Sequence, residues 1–146
     1  NDYLGVDDEL SNQMLATCLI GAVGRALNRG ICFKHCLILK SNQHMRKSSF
    51  LEELASTDWF TDTNQGKDQD FLMSFQTTCI YELAEIEYMT IKHEQGKLKN
   101  WLSSRSYKFR VPYGRATEIH KRPSIFVGSC NRSDFSMIQP AMFVFG

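Results

Sequence analysis

Eight residues, Ser41 to Ser48, sit between the apolar run Cys36-Leu37-Ile38-Leu39 and the helix former Phe50-Leu51-Glu52-Glu53-Leu54-Ala55. Strand, loop, Lys-Ser and helix is the layout of a phosphate-binding loop. That chemistry needs backbone amides curled round phosphate, a lysine on the outer oxygens and a hydroxyl on magnesium. Lys47 and Ser48 offer the last two. Ser41 and Arg46 stand where the pattern GxxxxGK[ST] has glycine. A second apolar run, Thr78-Cys79-Ile80-Tyr81, leads into Glu82 and Glu85. A carboxylate at such a strand end can hold Mg²⁺ through water and polarise an attacking water. A third run, Ser124 to Cys130, ends at Asn131, whose amide could orient a water or a phosphate. Taken singly, each has a plainer reading: a helix start, a charged strand end, a turn residue. Lysine, carboxylate and asparagine on successive strand ends form a more specific set.

A basic block supplies the other candidate chemistry. Lys97, Lys99, Arg105, Lys108, Arg110, Arg115, Lys121 and Arg122 are interleaved with Trp101, Tyr107, Phe109 and Tyr113. Bases and aromatics together suit a nucleic-acid strand through phosphate contacts and stacking. They also suit a subunit interface or a solvated face. The net charge of +1 conceals this pattern. Residues 31–50 carry four bases and no acid, residues 51–90 nine acids against Lys67, and residues 91–123 nine bases against Glu94 and Glu118.

The elements that must position these residues follow from periodicity. Apolar residues at Leu10, Met14, Leu15, Cys18, Leu19, Ala22, Val23 and Ala26 predict an amphipathic helix over residues 8–28. Asn28-Arg29-Gly30 stops it. Further helices are expected over residues 67–76 and 88–103, and Ser106 to Tyr113 reads as extended. Three apolar strands separated by helices imply an α/β fold with a mainly parallel sheet. Ligands then bind beyond the carboxyl ends of the strands.

A composition of 42% apolar and 23% charged residues is that of a globular chain, which excludes disordered and collagen-like classes. No run of about 18 apolar residues exists, so no membrane span is expected. The odd cysteine count and the lack of a signal segment speak against a disulfide framework and for the cytoplasm. Cys32-x-x-His35-Cys36 lacks the second pair a zinc site needs, so these cysteines read as small core residues.

Several stretches carry a resemblance: Trp59-Phe60-Thr61-Asp62-Thr63, Glu82-Leu83-Ala84-Glu85, Arg110-Val111-Pro112-Tyr113-Gly114-Arg115 and Phe126-Val127-Gly128-Ser129-Cys130-Asn131. In order and spacing the chain resembles the virulence-associated protein E family, phage- and plasmid-type proteins with a superfamily 3 helicase-like P-loop NTPase domain. The resemblance runs from Tyr3 to Phe135. It implies that Lys47 is the phosphate lysine and Ser48 the magnesium hydroxyl. Glu82 and Glu85 would be the acidic pair, either of them catalytic, with Glu82 and Ser48 on the metal. Asn131 would be the polar sensor, and Arg110 and Arg115 part of an Arg-x-Pro-Tyr-Gly-Arg element. It implies ATP and Mg²⁺ as cofactors. It further implies DNA, as a single strand, as partner, a homo-oligomeric ring, and work beside a primase in mobile-element replication. Gln43 survives from the family loop, while Ser41, His44 and Arg46 replace its glycines, so the nest is expected to be collapsed or reshaped. Residues 1–30 are then expected as an N-terminal helical segment and 31–135 as an incomplete (RecA/AAA+-like) NTPase core. Residues 136–146 are expected as a non-matching apolar tail, the product of truncation or frame-shift. The expected function is a weakened or inactive ATPase fragment, ancestrally coupled to DNA unwinding. The alternative is a non-catalytic DNA-binding or oligomerisation module.

Overall fold

The computed structural model describes residues 8–42, 44–62, 68–86, 95–110, 117–131 and 142–145. Helix α1 spans Glu9–Leu27. Asp8 caps it by accepting from the Ser11 amide at 2.8 Å, and the Ser11 hydrogen bonds hold its carboxyl below the usual range. The stripe that α1 buries is narrower than the apolar spacing predicted. Ser11, Cys18, Gly21, Ala22 and Arg25 face inward, whereas Leu10 and Val23 are 61% and 58% exposed. The reason is close approach: the Phe33 ring lies where a Cβ on Gly21 would be, so small residues select the contact face.

The remaining elements are β1 Cys36–Lys40, α2 Lys47–Ala55, a short 3₁₀ turn Thr57–Trp59, β2 Phe60–Thr61, α3 Asp68–Thr77, β3 Ile80–Leu83 and α4 Gln95–Ser103. They continue through β4 Ser106–Arg110, β5 Thr117–Lys121, β6 Ile125–Cys130 and β7 Met142–Phe145. Five strands form one parallel sheet in the order β2-β3-β6-β1-β7. The stretch expected as a non-matching tail therefore contributes β7, which pairs Leu37 with Phe143 and covers the outer edge of β1. An unpaired parallel edge would leave backbone donors and acceptors open, and an apolar four-residue strand satisfies them.

Alternation along the strands sorts the core into two layers. Leu37, Leu39, Ile80, Ile125 and Val127 face α1 and α2, packing with Cys18, Ala22 and Leu51. Cys36, Ile38, Tyr81, Leu83, Phe126 and Cys130 face the opposite side, where Phe75, Leu98, Leu102 and Tyr107 cover them. Burial on both faces is why β1 and β6 read as unbroken apolar runs. Cys36 is core as expected, but Cys32 is exposed, because it precedes β1 rather than lying in it.

Strands β4 and β5 form a separate antiparallel pair, with Lys108 opposite Ile119 and Arg110 opposite Thr117. Arg122, just after β5, is 1% exposed and ties this pair to the core. Its guanidinium donates to the carbonyls of Trp101 and Leu102 at the end of α4 and to the Tyr107 hydroxyl, and it stacks on the Phe126 ring. Buried Arg25 likewise donates to the carbonyls of Ser124 and Phe33 at 2.8 and 2.7 Å. Among the described residues, no helix is long and apolar enough to cross a membrane.

Candidate nucleotide site at the strand ends

Three neighbouring strands, β1, β6 and β3, deliver the candidate residues to one end of the sheet. The loop after β1 turns into α2 at Lys47. Its Nζ donates to the carbonyl of Ser41 (3.1 Å), the hydroxyl of Ser41 (3.1 Å), the carbonyl of Asn42 (3.2 Å) and Oδ1 of Asn131 (2.8 Å). Asn131 directly follows β6, so the ammonium bridges two adjacent strand ends. Ser48, one residue on, donates from Oγ to Oε1 of Glu82 at 2.9 Å.

Glu82 lies inside β3, not beyond it, and is 0% exposed. Burial pushes its carboxyl above the usual range, against the opposing pull of the Ser129 and Ser48 hydroxyls and the Lys47 charge. Its Oε2 has no hydrogen-bond partner among the described residues. Glu85 is placed differently. It is exposed, past the strand end, with φ of 51°. The geometry thus separates the two acids: Glu82 meets Ser48, and Glu85 stands in the following turn.

Two of the positions where the family loop has glycine lie in the described part of the turn before α2. His44 and Arg46 take up the left-handed backbone that glycine would adopt, with φ of 70° and 53°. Arg46 is the residue before α2, and no side chain caps that helix or places an acid in its first turn. Uncapped amides and a basic first turn leave the positive end of the helix uncompensated, which favours an anion there. Gln43 lies outside the described residues.

Two residues of this site were missed in the sequence. Ser129, 7% exposed, faces the Glu82 carboxyl from β6, and Asp62 at the end of β2 adds negative charge to the same surroundings. The signal for Ser129 was available: it is a small polar residue two positions before Asn131 in an apolar strand, hence on the side of the sheet that carries Glu82.

Of the basic block, Lys108 and Arg110 are exposed on β4 and share a face with Lys121 and Ile119 of β5. Lys99 on α4 and Arg105 before β4 are also exposed. Tyr113 and Arg115 lie outside the described residues, as does the side chain of Lys97. Arg122, counted with this block from its position in the sequence, is a core residue instead. No group of three or more metal-ligating side chains occurs among the described residues, Cys32 and His35 included.

Two solved structures share this fold over nearly the whole chain. Both are apo A-form structures of the NrS-1 C-terminal region. One matches with a TM-score of 0.58 at 12% identity, covering 99% of this chain and 39% of that one. The other matches with a TM-score of 0.56 at 14% identity, covering 99% and 40%. The chain spans about two-fifths of their length. None of the curated proteins compared with it matches. At the level of sequence, residues 1–137 match the virulence-associated protein E-like domain. That span carries the loop, the Glu82 strand and Asn131 together, and the chain belongs to the virulence-associated protein E-like family.

Proposed function

We propose that this chain is the nucleotide-binding core of a mobile-element replication protein, with a weakened or lost ATPase. The observation that carries the reading is the pair of contacts Lys47–Asn131 and Ser48–Glu82, made at one end of a parallel sheet. ATP would lie against the loop, with Lys47 and the uncapped amides of α2 on its phosphates. Ser41 and Arg46 would line the same loop. Mg²⁺ would be held by the Ser48 hydroxyl and, through water, by Glu82. The donor set fits such an ion, because the buried Oε2 of Glu82 lacks any other partner among the described residues. Glu82 would polarise the attacking water, Asn131 would orient it, and Glu85 would assist from the adjoining turn.

Weak turnover follows from the loop. Two side-chain-bearing residues hold φ values that cost about 1–2 kcal/mol each, so the phosphate cradle is under strain. Binding of a fluorescent ATP analogue with Mg²⁺, together with phosphate release, tests the reading. The expectation is measurable binding, lost in Lys47→Ala, with very slow release. Turnover near one per second that Lys47→Ala abolishes would refute the weakened loop. Absence of binding would refute the site.

A second reading rests on the β4–β5 pair. Its exposed face sets Lys108, Arg110 and Lys121 around Ile119, which is 65% exposed. With Lys99, Arg105 and, from the sequence, Lys97, Tyr113 and Arg115, this surface suits single-stranded DNA or the neighbouring copy in a ring. A primase domain or partner would work beside it. Gel-shift with single-stranded DNA at two salt concentrations tests it, since phosphate contacts weaken as salt rises.

A further inference from the structure

Asp62 belongs to the stretch Trp59-Phe60-Thr61-Asp62-Thr63, and the sheet sets it beside Glu82. Strands β2 and β3 run parallel with Phe60 against Ile80 and Thr61 against Tyr81. The next step of that register brings Asp62 level with Glu82. Phe60 and Ile80 both pack on the side of the sheet that faces α1 and α2. Residues two positions on return to that side. There α2 lies over both strands, with Ser48 in its first turn. The Asp62 charge accordingly acts on the Glu82 carboxyl.

Two acids held side by side repel, and a cation between them removes the repulsion. Among the described residues neither acid is in an ion pair. Lys47, the nearest ammonium on the loop, is engaged by Ser41, Asn42 and Asn131. Glu82 is wholly buried, and its Oε2 lacks a hydrogen-bond partner among the described residues. Ser48 donates its hydrogen to the other oxygen, Oε1, which leaves the lone pairs of its Oγ for a ligand. Carboxylate and hydroxyl oxygens are the donors a hard divalent ion prefers. A third carboxylate is not required, because Mg²⁺ keeps several of its waters. We infer that Asp62 is the second acid of the Mg²⁺ site, holding the ion through water opposite Glu82, so that the pair takes up a divalent cation before any nucleotide arrives. The inference rests on the nucleotide-site reading above, which assigned the ion to Ser48 and Glu82 alone.

Titration of the full chain with Mn²⁺ alone, the free ion being read by electron paramagnetic resonance, tests it. Binding of a fluorescent ATP analogue with Mg²⁺ is measured alongside. Wild type is expected to bind Mn²⁺ without nucleotide. Asp62→Asn should bind it about tenfold more weakly, the usual loss when a metal site gives up an outer partner. Asp58→Asn removes the same charge from an exposed position in the turn before β2 and should bind as wild type does. That control separates a ligand from a general field. In EDTA, Asp62→Asn should melt no lower than wild type, since it relieves a repulsion, and it should gain less from added Mn²⁺. Equal Mn²⁺ affinity in Asp62→Asn and wild type would overturn the inference, as would equal losses in the two variants or a clear loss of stability in EDTA. A wild type that binds the ATP analogue with Mg²⁺ but no Mn²⁺ alone would overturn it and leave the nucleotide site standing. A wild type that binds neither probe would overturn both.

Discussion

The ammonium of Lys47 donates to Oδ1 of Asn131 at 2.8 Å, across 84 positions of sequence. One bond thus joins the loop after β1 to the end of β6. Asn131→Ala is expected to keep ATP binding, because Lys47 retains its Ser41 and Asn42 acceptors. It should lower single-turnover phosphate release about a hundredfold, the usual loss when one preorganised polar group is removed from a reacting centre. Quenched-flow measurement on both proteins decides it. An unchanged release rate would make the asparagine merely structural.

Glu82 is expected to trade stability for function. Its carboxyl titrates above the usual carboxylate range because it is buried. A raised folded-state pKa favours folding below the unfolded value, and that contribution is lost as pH rises through the folded value. The deprotonated form, charged and buried, therefore destabilises the fold relative to the protonated one. Glu82→Gln should melt higher at pH 7, show less change in melting temperature across the weakly acidic range, and lose Mg²⁺-dependent stabilisation by ATP. Thermal scans from pH 4 to 8, with and without ATP and Mg²⁺, check all three.

Cys32 should be the first of the five cysteines to be alkylated. A hydrogen bond from the Arg105 side chain, with the nearby Lys34 and Arg25 charges, holds its thiol below the usual range. Burial pushes Cys18 up to about 12 and Cys36 higher still. Cys32 also lies on the rim of an apolar groove of ≈ 750 Å³ lined by Ile20, Gly21, Gly24, Ile31 and Phe33. Iodoacetamide followed by peptide mass mapping should label Cys32 fastest at pH 7, and Arg105→Ala should slow that labelling several-fold.

Gly128 and Ile86 form a matched pair. A Cβ on Gly128 would lie 2.7 Å from the Ile86 Cδ1. Ile86 follows left-handed Glu85, so the clash would reach the acidic turn. Gly128→Ala should destabilise by about 1–3 kcal/mol, the range for overfilled cores. Ile86→Val removes the clashing methyl and should recover part of it. Urea denaturation of the single and double variants gives the coupling, and purely additive effects would sink the pairing.

How much of this could be read in advance depended on burial. Strands β1, β3 and β6 were legible because a parallel sheet covered on both faces leaves apolar runs in the sequence. Strand β2 has only two residues, too few for any period to show. Strand β7 was apolar enough to be noticed, but four residues carry no sign of a distant partner such as β1. The inner face of α1 was misread because packing there follows size and hydrogen bonding, through Gly21 and Arg25, more than hydropathy. Lys47, Ser48, Glu82 and Asn131 are all legible as strand-end residues, because each adjoins or ends an apolar run. The resemblance implied Glu82 beside Ser48, whereas the burial of Glu82 was not legible, since that turns on whether the strand stops before or after it.

Arg122 offers a check on the β4–β5 attachment. Replacing it with Gln should cost about 3 kcal/mol, as charged hydrogen bonds to the α4 carbonyls are lost. Hydrogen exchange should then rise first in Ser103, Ser104 and Tyr107, where α4 and β4 meet.

The position of β1 also governs how the chain can fold. Leu37 pairs with Val127 on one side and Phe143 on the other, so both neighbours of β1 lie far downstream of it in the sequence. During synthesis β1 must wait, with both edges open, until first β6 and then β7 have been made. Such non-local pairing is slow, because the entropy of closing long loops comes before the contacts that reward it. Folding should therefore be sluggish and sensitive to concentration, with the pairing of β7 onto β1 as the step that covers the second edge.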